Sequence, residues 1–277
     1  MQPRSATHKW AAAAFAAALS VSGLAACSSS GSSATKAKSD TTSAATTAAG
    51  TKSVDTACLA WTELDDAANK GPGGPDGPPT PAAITAFAKS LKPMIARVAT
   101  AAPAAVAAPV KTVQDIIDDA SNGKDAQKLE PSNPALSKPV HKIEKWAYDS
   151  CGYNKFDVMG KDYAYDGISP KIPHGMTSVK FTNVANDEVH ELSLMMVKPG
   201  SGVTGKEIAE ALKADPNAAQ QKYQDKVEFV SNTQANPGET SYTTANLNVG
   251  DYVAVCFIGP DGQPHAGKGM VTSFTVD

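Results

Sequence analysis

The chain has 277 residues and a formal net charge of −3, with 42% hydrophobic residues. That is enough for one or two domains with a real core once unstructured ends are set aside. Charges of both signs are interspersed, with no basic arm and no acidic tail, which speaks against nucleic acid as a partner.

The chain opens as a targeting segment. Arg4, His8 and Lys9 precede the apolar run Trp10-Ala-Ala-Ala-Ala-Phe-Ala-Ala-Ala-Leu-Ser-Val21, which ends at Leu24-Ala25-Ala26-Cys27. The run is short for a membrane span and has the order of a signal peptide. Its ending resembles a bacterial lipobox, in which the cysteine takes a lipid and becomes the mature N-terminus. Residues 1–26 then form the leader, and Cys27 anchors an extracytoplasmic protein to the cell membrane, in a disulfide-permissive setting. Residues 27–53 are mostly Ser, Thr and Ala, a composition that buries no core and reads as a flexible tether.

Residues 54–155 read as a small all-α bundle. A first helix is predicted over 55–69, ending at the Gly/Pro-rich loop 71–79. A second starts at Thr80 as N-cap with Pro81 in its first turn; Ile84, Phe87, Leu91, Ile95 and Val98 recur at helical spacing, and Pro93 should kink it. A third, from about Pro103, presents Val106, Val110, Val113 and Ile117 and stops by Asn122-Gly123. The fourth follows Asn133-Pro134 and carries Leu136, Val140, Ile143, Trp146 and Ala147. Short links between four helices suggest a bundle. Asp65-Asp66, Asp118-Asp119 and His141 read as solvated positions, and nothing in this region looks catalytic.

Setting Cys27 aside leaves Cys58, Cys151 and Cys256, an odd number in an oxidising compartment. A Cys58–Cys151 bridge fits antiparallel first and fourth helices and would bring Trp61 and Trp146 to one end of the core. Pairing of either with Cys256 is the alternative. If the first pairing holds, Cys256 is a free thiol in need of a role, either metal ligation or simple burial on an apolar strand.

Residues 156–277 change texture to short apolar segments divided by turn residues. Strands are predicted over 161–167, 171–173, 177–183, 189–198, 227–232, 239–244, 252–258 and 270–276. One helix is predicted over 204–214, with Thr204 and Glu207 as a capping box and Ile208, Ala211 and Leu212 as its inner stripe. About eight strands in about 120 residues suggest an all-β Greek-key sandwich. Met195 and Met196 should point to opposite faces, one of them core, while Met176 reads as packing and His174 as a surface residue.

The last hairpin carries Cys256, His265 and Met270 at C-x8-H-x4-M spacing, and His190 opens an upstream strand. Two imidazoles, a thiolate and a weak axial thioether are the ligand set of a type 1 copper site. Four stretches carry a family resemblance: Ile172-Pro-His-Gly-Met-Thr-Ser-Val-Lys-Phe-Thr-Asn183, Asn186-Asp-Glu-Val-His-Glu-Leu192, Gly250-Asp-Tyr-Val-Ala-Val-Cys-Phe257, and Pro264-His265 with Gly269-Met270-Val-Thr-Ser-Phe274. Together, over about residues 160–277, they resemble the plastocyanin-like cupredoxins. The resemblance implies one copper ion held by His190, Cys256, His265 and Met270, with Asn183 or Asn186 as candidates for fixing an imidazole. It also implies a transient redox partner docking at an exposed edge of His265, among Gly259, Pro260, Pro264, Ala266 and Gly267. The Cys256–His265 loop is longer than in many small members of that family, which leaves open whether it reshapes the pocket.

The function expected is a membrane-tethered single-electron carrier, not an enzyme. Copper scavenging or delivery, or a metal-free cupredoxin-like interaction module, are the alternatives. A multicopper oxidase needs paired histidine motifs, and this chain has five histidines in all; no Gly-x-Ser-x-Gly, Walker or zinc-hydrolase motif appears.

Overall fold

Prolines placed where a helix can use them set the frame of the first half. Thr80 accepts a hydrogen bond from the Ala83 amide ahead of Pro81, and Asn133 caps Ala135 ahead of Pro134. Pro has no amide to lose at these first-turn positions. The structure is a computed structural model that describes residues 48–72, 79–131 and 133–277. The leader, Cys27, most of the tether and the middle of the Gly/Pro loop lie outside the described residues.

Four helices come first: α1 (Ala48–Asn69), α2 (Pro81–Ala101), α3 (Ala104–Ser121) and α4 (Pro134–Ser150). α1 begins at Ala48, inside the stretch expected to be tether, and α2 continues through Pro93. Trp61, Leu64, Leu91, Ile95, Val98, Val106, Val110, Val113, Ile117 and Ile143 close into one core. Cys58 and Cys151 are joined, with Cα atoms 5.6 Å apart, so the bridge ties α1 to the end of α4.

Nine strands follow among the described residues: β1 (Asn154–Lys161), β2 (Ala164–Asp166), β3 (Lys171–Ile172), β4 (Gly175–Asn183), β5 (His190–Val197), β6 (Val227–Ala235), β7 (Thr240–Leu247), β8 (Gly250–Val255) and β9 (Val271–Val276). They form two sheets ordered β2-β1-β4-β7 and β3-β9-β8-β5-β6. β1 pairs in parallel with β4, and β3 with β9; the other pairs are antiparallel. The sandwich expected for this half is present. β1 starts two residues before the predicted domain boundary and corrects the strand predicted over 161–167, which is in fact the end of β1 and the short β2.

Between β5 and β6 lie α5 (Gly205–Ala214) and α6 (Pro216–Tyr223). The capping box of α5 forms as expected, but Ala209, not Ala211, is the fully buried neighbour of Ile208 and Leu212. α5 and α6 cover the outer face of the larger sheet with Ile208, Leu212 and Ala219. Both faces of β5 are therefore buried along its whole length. This corrects the reading of Met195 and Met196: they do point apart, yet both are core. Met196 packs between the sheets and Met195 under the helices.

The bundle meets the smaller sheet through a polar seam. β7 is the outer strand of that sheet, and Asp65 of α1 caps it, accepting from Thr244 Oγ1 at 2.9 Å and from the Thr244 amide and Thr243 Oγ1 at 3.3 Å. Asp65 was expected to be solvated; it is 8% exposed. Glu144 of α4 is equally buried, and its Oε2 has no hydrogen-bond partner. Burial, and then the neighbouring Asp65, hold the Glu144 carboxyl well above the usual carboxylate range, and burial raises Asp65 despite its three donors.

A carboxyl whose pKa is raised on folding keeps its proton in the fold and releases it on unfolding. Stability is then full at mild acidity and falls as pH climbs above the ordinary carboxylate value. Wild-type protein should melt lower at pH 8 than at pH 5. Glu144→Gln should flatten that dependence, because an amide does not titrate, and should raise the melting temperature at pH 8 relative to wild type. Identical pH slopes in thermal melts of the two proteins would refute the assignment.

Candidate metal centre

The site is assembled at one end of the sandwich from three segments distant in sequence. β5 begins at His190, β8 runs into Cys256, and a 3₁₀ turn, His265–Lys268, precedes β9. The segment before β5 is fixed by Asn183. Its side-chain amide donates to the carbonyls of Glu188 and Ala235 at 2.8 and 3.0 Å, and its oxygen accepts from the Ala185 amide at 3.0 Å. Those bonds use the whole Asn183 amide, so it positions the approach to His190 instead of touching an imidazole; Asn186 is exposed. Neither expected imidazole partner takes that role.

The Cys256–His265 connection resolves the question its length raised. The His265 amide donates to Ile258 O at 2.8 Å, the Ala266 amide to Cys256 O at 3.0 Å, and the Gln263 amide to Pro260 O at 3.0 Å. The extra residues 259–264 thus form a closed excursion that begins and ends at one bonded pair, leaving the residues on either side in register. Met270 completes the frame: its amide donates to His265 O and its carbonyl accepts from the Cys256 amide, both at 3.0 Å.

Sidedness brings the donors together. His190 Nδ1 and His265 Nδ1 lie 3.0 Å apart, and Cys256 Sγ is 3.6 Å from His265 Nδ1. All three donor atoms fall within 4.8 Å of one another. His190, Cys256 and Met270 are 0% exposed and His265 is 1% exposed. The Met270 methyl lies against Gly160 of β1, where an added Cβ would stand 3.2 Å from it and 2.6 Å from the Phe181 ring. Glycine in β1 therefore leaves the space the thioether fills.

Burial favours the neutral forms of these side chains. Burial lowers the pKa of both imidazoles, against the opposing pull of the Glu188 carboxylate. Burial, and then Glu191, push the Cys256 thiol up to about 12. Two imidazoles and one thiol with converging atoms suit a soft or borderline cation, whose binding must displace the thiol proton. Cys256 is the free cysteine among the described residues, so the bridge elsewhere leaves this sulfur for the site.

Two contributors were not anticipated. Glu191, next to His190, is buried, and its carboxylate accepts from the Phe257 amide at 2.9 Å, Ser193 Oγ at 3.3 Å and Asn232 Nδ2 at 3.3 Å. It thereby locks the residue after one donor to the residue after another. A lone acid inside the apolar run of β5 was the available signal. Tyr163, in the β1–β2 turn, lays its ring against both imidazoles, with centroids 5.2 Å from His265 and 6.4 Å from His190.

The expected open edge of His265 does not exist. Tyr163 and Glu188 cover it, Glu188 Oε2 standing 3.3 Å from His265 Nε2 without the alignment of a hydrogen bond. Ala266, expected on a docking surface, is 0% exposed. His174 is exposed and bonded to Asp277 O through Nδ1, at the far end of β4 from Asn183.

No protein-family model matches the chain, and no curated protein matches it. Among solved structures it is similar to a dithionite-reduced auracyanin from the photosynthetic bacterium Roseiflexus castenholzii, with 22% identity over 45% of this chain and 97% of that one and a TM-score of 0.31. It is also similar to auracyanin A, a "blue" copper protein from Chloroflexus aurantiacus, with 21% identity over 46% of this chain and 100% of that one and a TM-score of 0.29. A third is an azurin from a Methylomonas strain, with 18% identity over 45% of this chain and 98% of that one and a TM-score of 0.29.

Proposed function

We propose that the chain is a cupredoxin-type copper protein that carries single electrons, held outside the cytoplasm by a lipid on Cys27. One observation carries the reading: two imidazole nitrogens and a thiol sulfur from separate segments converge within 4.8 Å in a fully buried pocket. His190, His265 and Cys256 would hold one copper ion, with Met270 as the weak axial ligand, and the bound metal supplies a Cu(I)/Cu(II) couple. The chain's own part is to hold the donors still. Backbone bonds at Cys256, His265 and Met270 and the Glu191 clamp fix them, and burial excludes water. The leader and the Ser/Thr/Ala stretch after it support membrane tethering, and the closed pocket supports a carrier over an enzyme that must admit substrate.

The rival reading is copper delivery, and it is separable by experiment. Protein loaded with one Cu(II) is reduced with ascorbate and reoxidised with ferricyanide over repeated cycles. A carrier bleaches and recovers its colour each time with its metal content unchanged. Release of metal on reduction would identify a delivery protein and overturn the electron-carrier reading.

A further inference from the structure

The donors of this centre are shut away from solvent, and Tyr163 is the half-buried side chain standing over both imidazoles. Its position is fixed from outside. Lys268 Nζ is 2.9 Å from the Tyr163 hydroxyl and 4.3 Å from the ring centroid. Lys268 also pairs with Glu188 at 3.9 Å, and Glu188 abuts His265. Ring, ammonium and carboxylate thus form a continuous cover, to which only Tyr163 brings a large apolar surface.

The backbone makes the choice of residue informative. Lys161 and Ala164 are paired, so Asp162 and Tyr163 form a two-residue hairpin turn. Tyr163 sits at φ 59°, in the left-handed region. Glycine or asparagine fills such a position without strain, whereas a bulky residue there is strained. The turn alone gives no reason for an aromatic residue; the contact with the two histidines does.

We propose, on the reading that the site holds copper, that Tyr163 determines what the site exchanges: its ring bars ligands and chelators from the histidines and so keeps the ion resident. Two variants separate the ring from the turn. Tyr163→Phe keeps the ring and loses the hydroxyl's bonds to Lys268 and Glu188; Tyr163→Gly removes the ring and relieves the backbone. Each is probed twice. In metal-free protein, carbethoxylation of His265 by diethyl pyrocarbonate is timed by peptide mass spectrometry. In copper-loaded protein, the rate at which excess EDTA withdraws Cu(II) is followed.

Both rates should rise at least about tenfold in Tyr163→Gly, because access no longer waits for local opening, while Tyr163→Phe stays near wild type. Both rates are read well below the melting temperature of each variant, so that a loss of stability in Tyr163→Gly does not pass for open access. Unchanged rates in the glycine variant, or a phenylalanine variant as fast as the glycine one, would overturn the proposal. If the wild-type protein takes up no copper, the copper reading fails while the carbethoxylation arm still decides the role of Tyr163.

Discussion

Gly259→Ala is expected to weaken copper binding at the proposed centre about 10–100-fold while leaving the sandwich folded. Gly259 has an extended backbone, φ 177°, so conformational freedom is not the issue. Space is: a Cβ there would lie 1.7 Å from Gln263 O and 2.7 Å from Gln263 C. Backbone atoms cannot swing aside as a flexible side chain does. The excursion 259–264 must reopen, and its closing bond from the His265 amide to Ile258 O goes with it. Displacing a ligand's support commonly lowers metal affinity by about 10–100-fold, and the misfit should cost about 1–3 kcal/mol of stability. Gly262→Ala is the control. That residue is left-handed at φ 74° with nothing near its Cβ position, so it should lose about 1 kcal/mol and keep its affinity. Equilibrium competition with a chelator of known copper affinity checks both; wild-type affinity in Gly259→Ala would contradict the loop's role.

Removing the disulfide should give the largest loss of stability. The bridge closes a segment with a sequence separation of 93, for which chain entropy predicts about 4–5 kcal/mol. Cys58→Ser/Cys151→Ser should therefore melt roughly 10–15 °C below wild type, and a reducing agent should produce the same shift in wild type but none in the variant. The visible spectrum of copper-loaded protein below the transition should not change, because the bonds that frame Cys256, His265 and Met270 are made within the sandwich. A melting point within a few degrees of wild type would mean that the bundle already constrains the two helix ends without the bond.

Legibility in the sequence followed the range of the interactions. Helix starts are local chemistry, so Thr80-Pro81, Asn133-Pro134 and the Thr204/Glu207 box read correctly. Asp215-Pro216 is the same device and caps α6 through Asp215 and the Ala218 amide. It passed unread because α6 buries little besides Ala219. β1 was missed although Phe156, Val158 and Gly160 alternate with exposed residues; glycine at the last inward position hid the period.

The cluster of His190, Cys256 and His265 was legible because its residue types are chemically distinctive and two of the three sit in one hairpin. Its cover was not. Glu191 meets Phe257 across 66 residues, and Tyr163 meets Lys268 across 105. Nothing local announces such partners, and the same ignorance produced the expectation of an exposed His265. Likewise, burial of Asp65 depends on a sheet edge 179 residues away, which no helical pattern can report.

The proposed copper centre joins His190, Cys256, His265 and Met270 around one ion. Titrating metal-free protein with Cu(II), with visible absorption and bound metal read together, tests it most directly. An intense charge-transfer band should grow linearly and stop at one copper per chain. It should be absent from Cys256→Ser with the far-ultraviolet circular dichroism of wild type. A protein that stays colourless and binds no copper, or a Cys256→Ser variant that keeps the band, would contradict it.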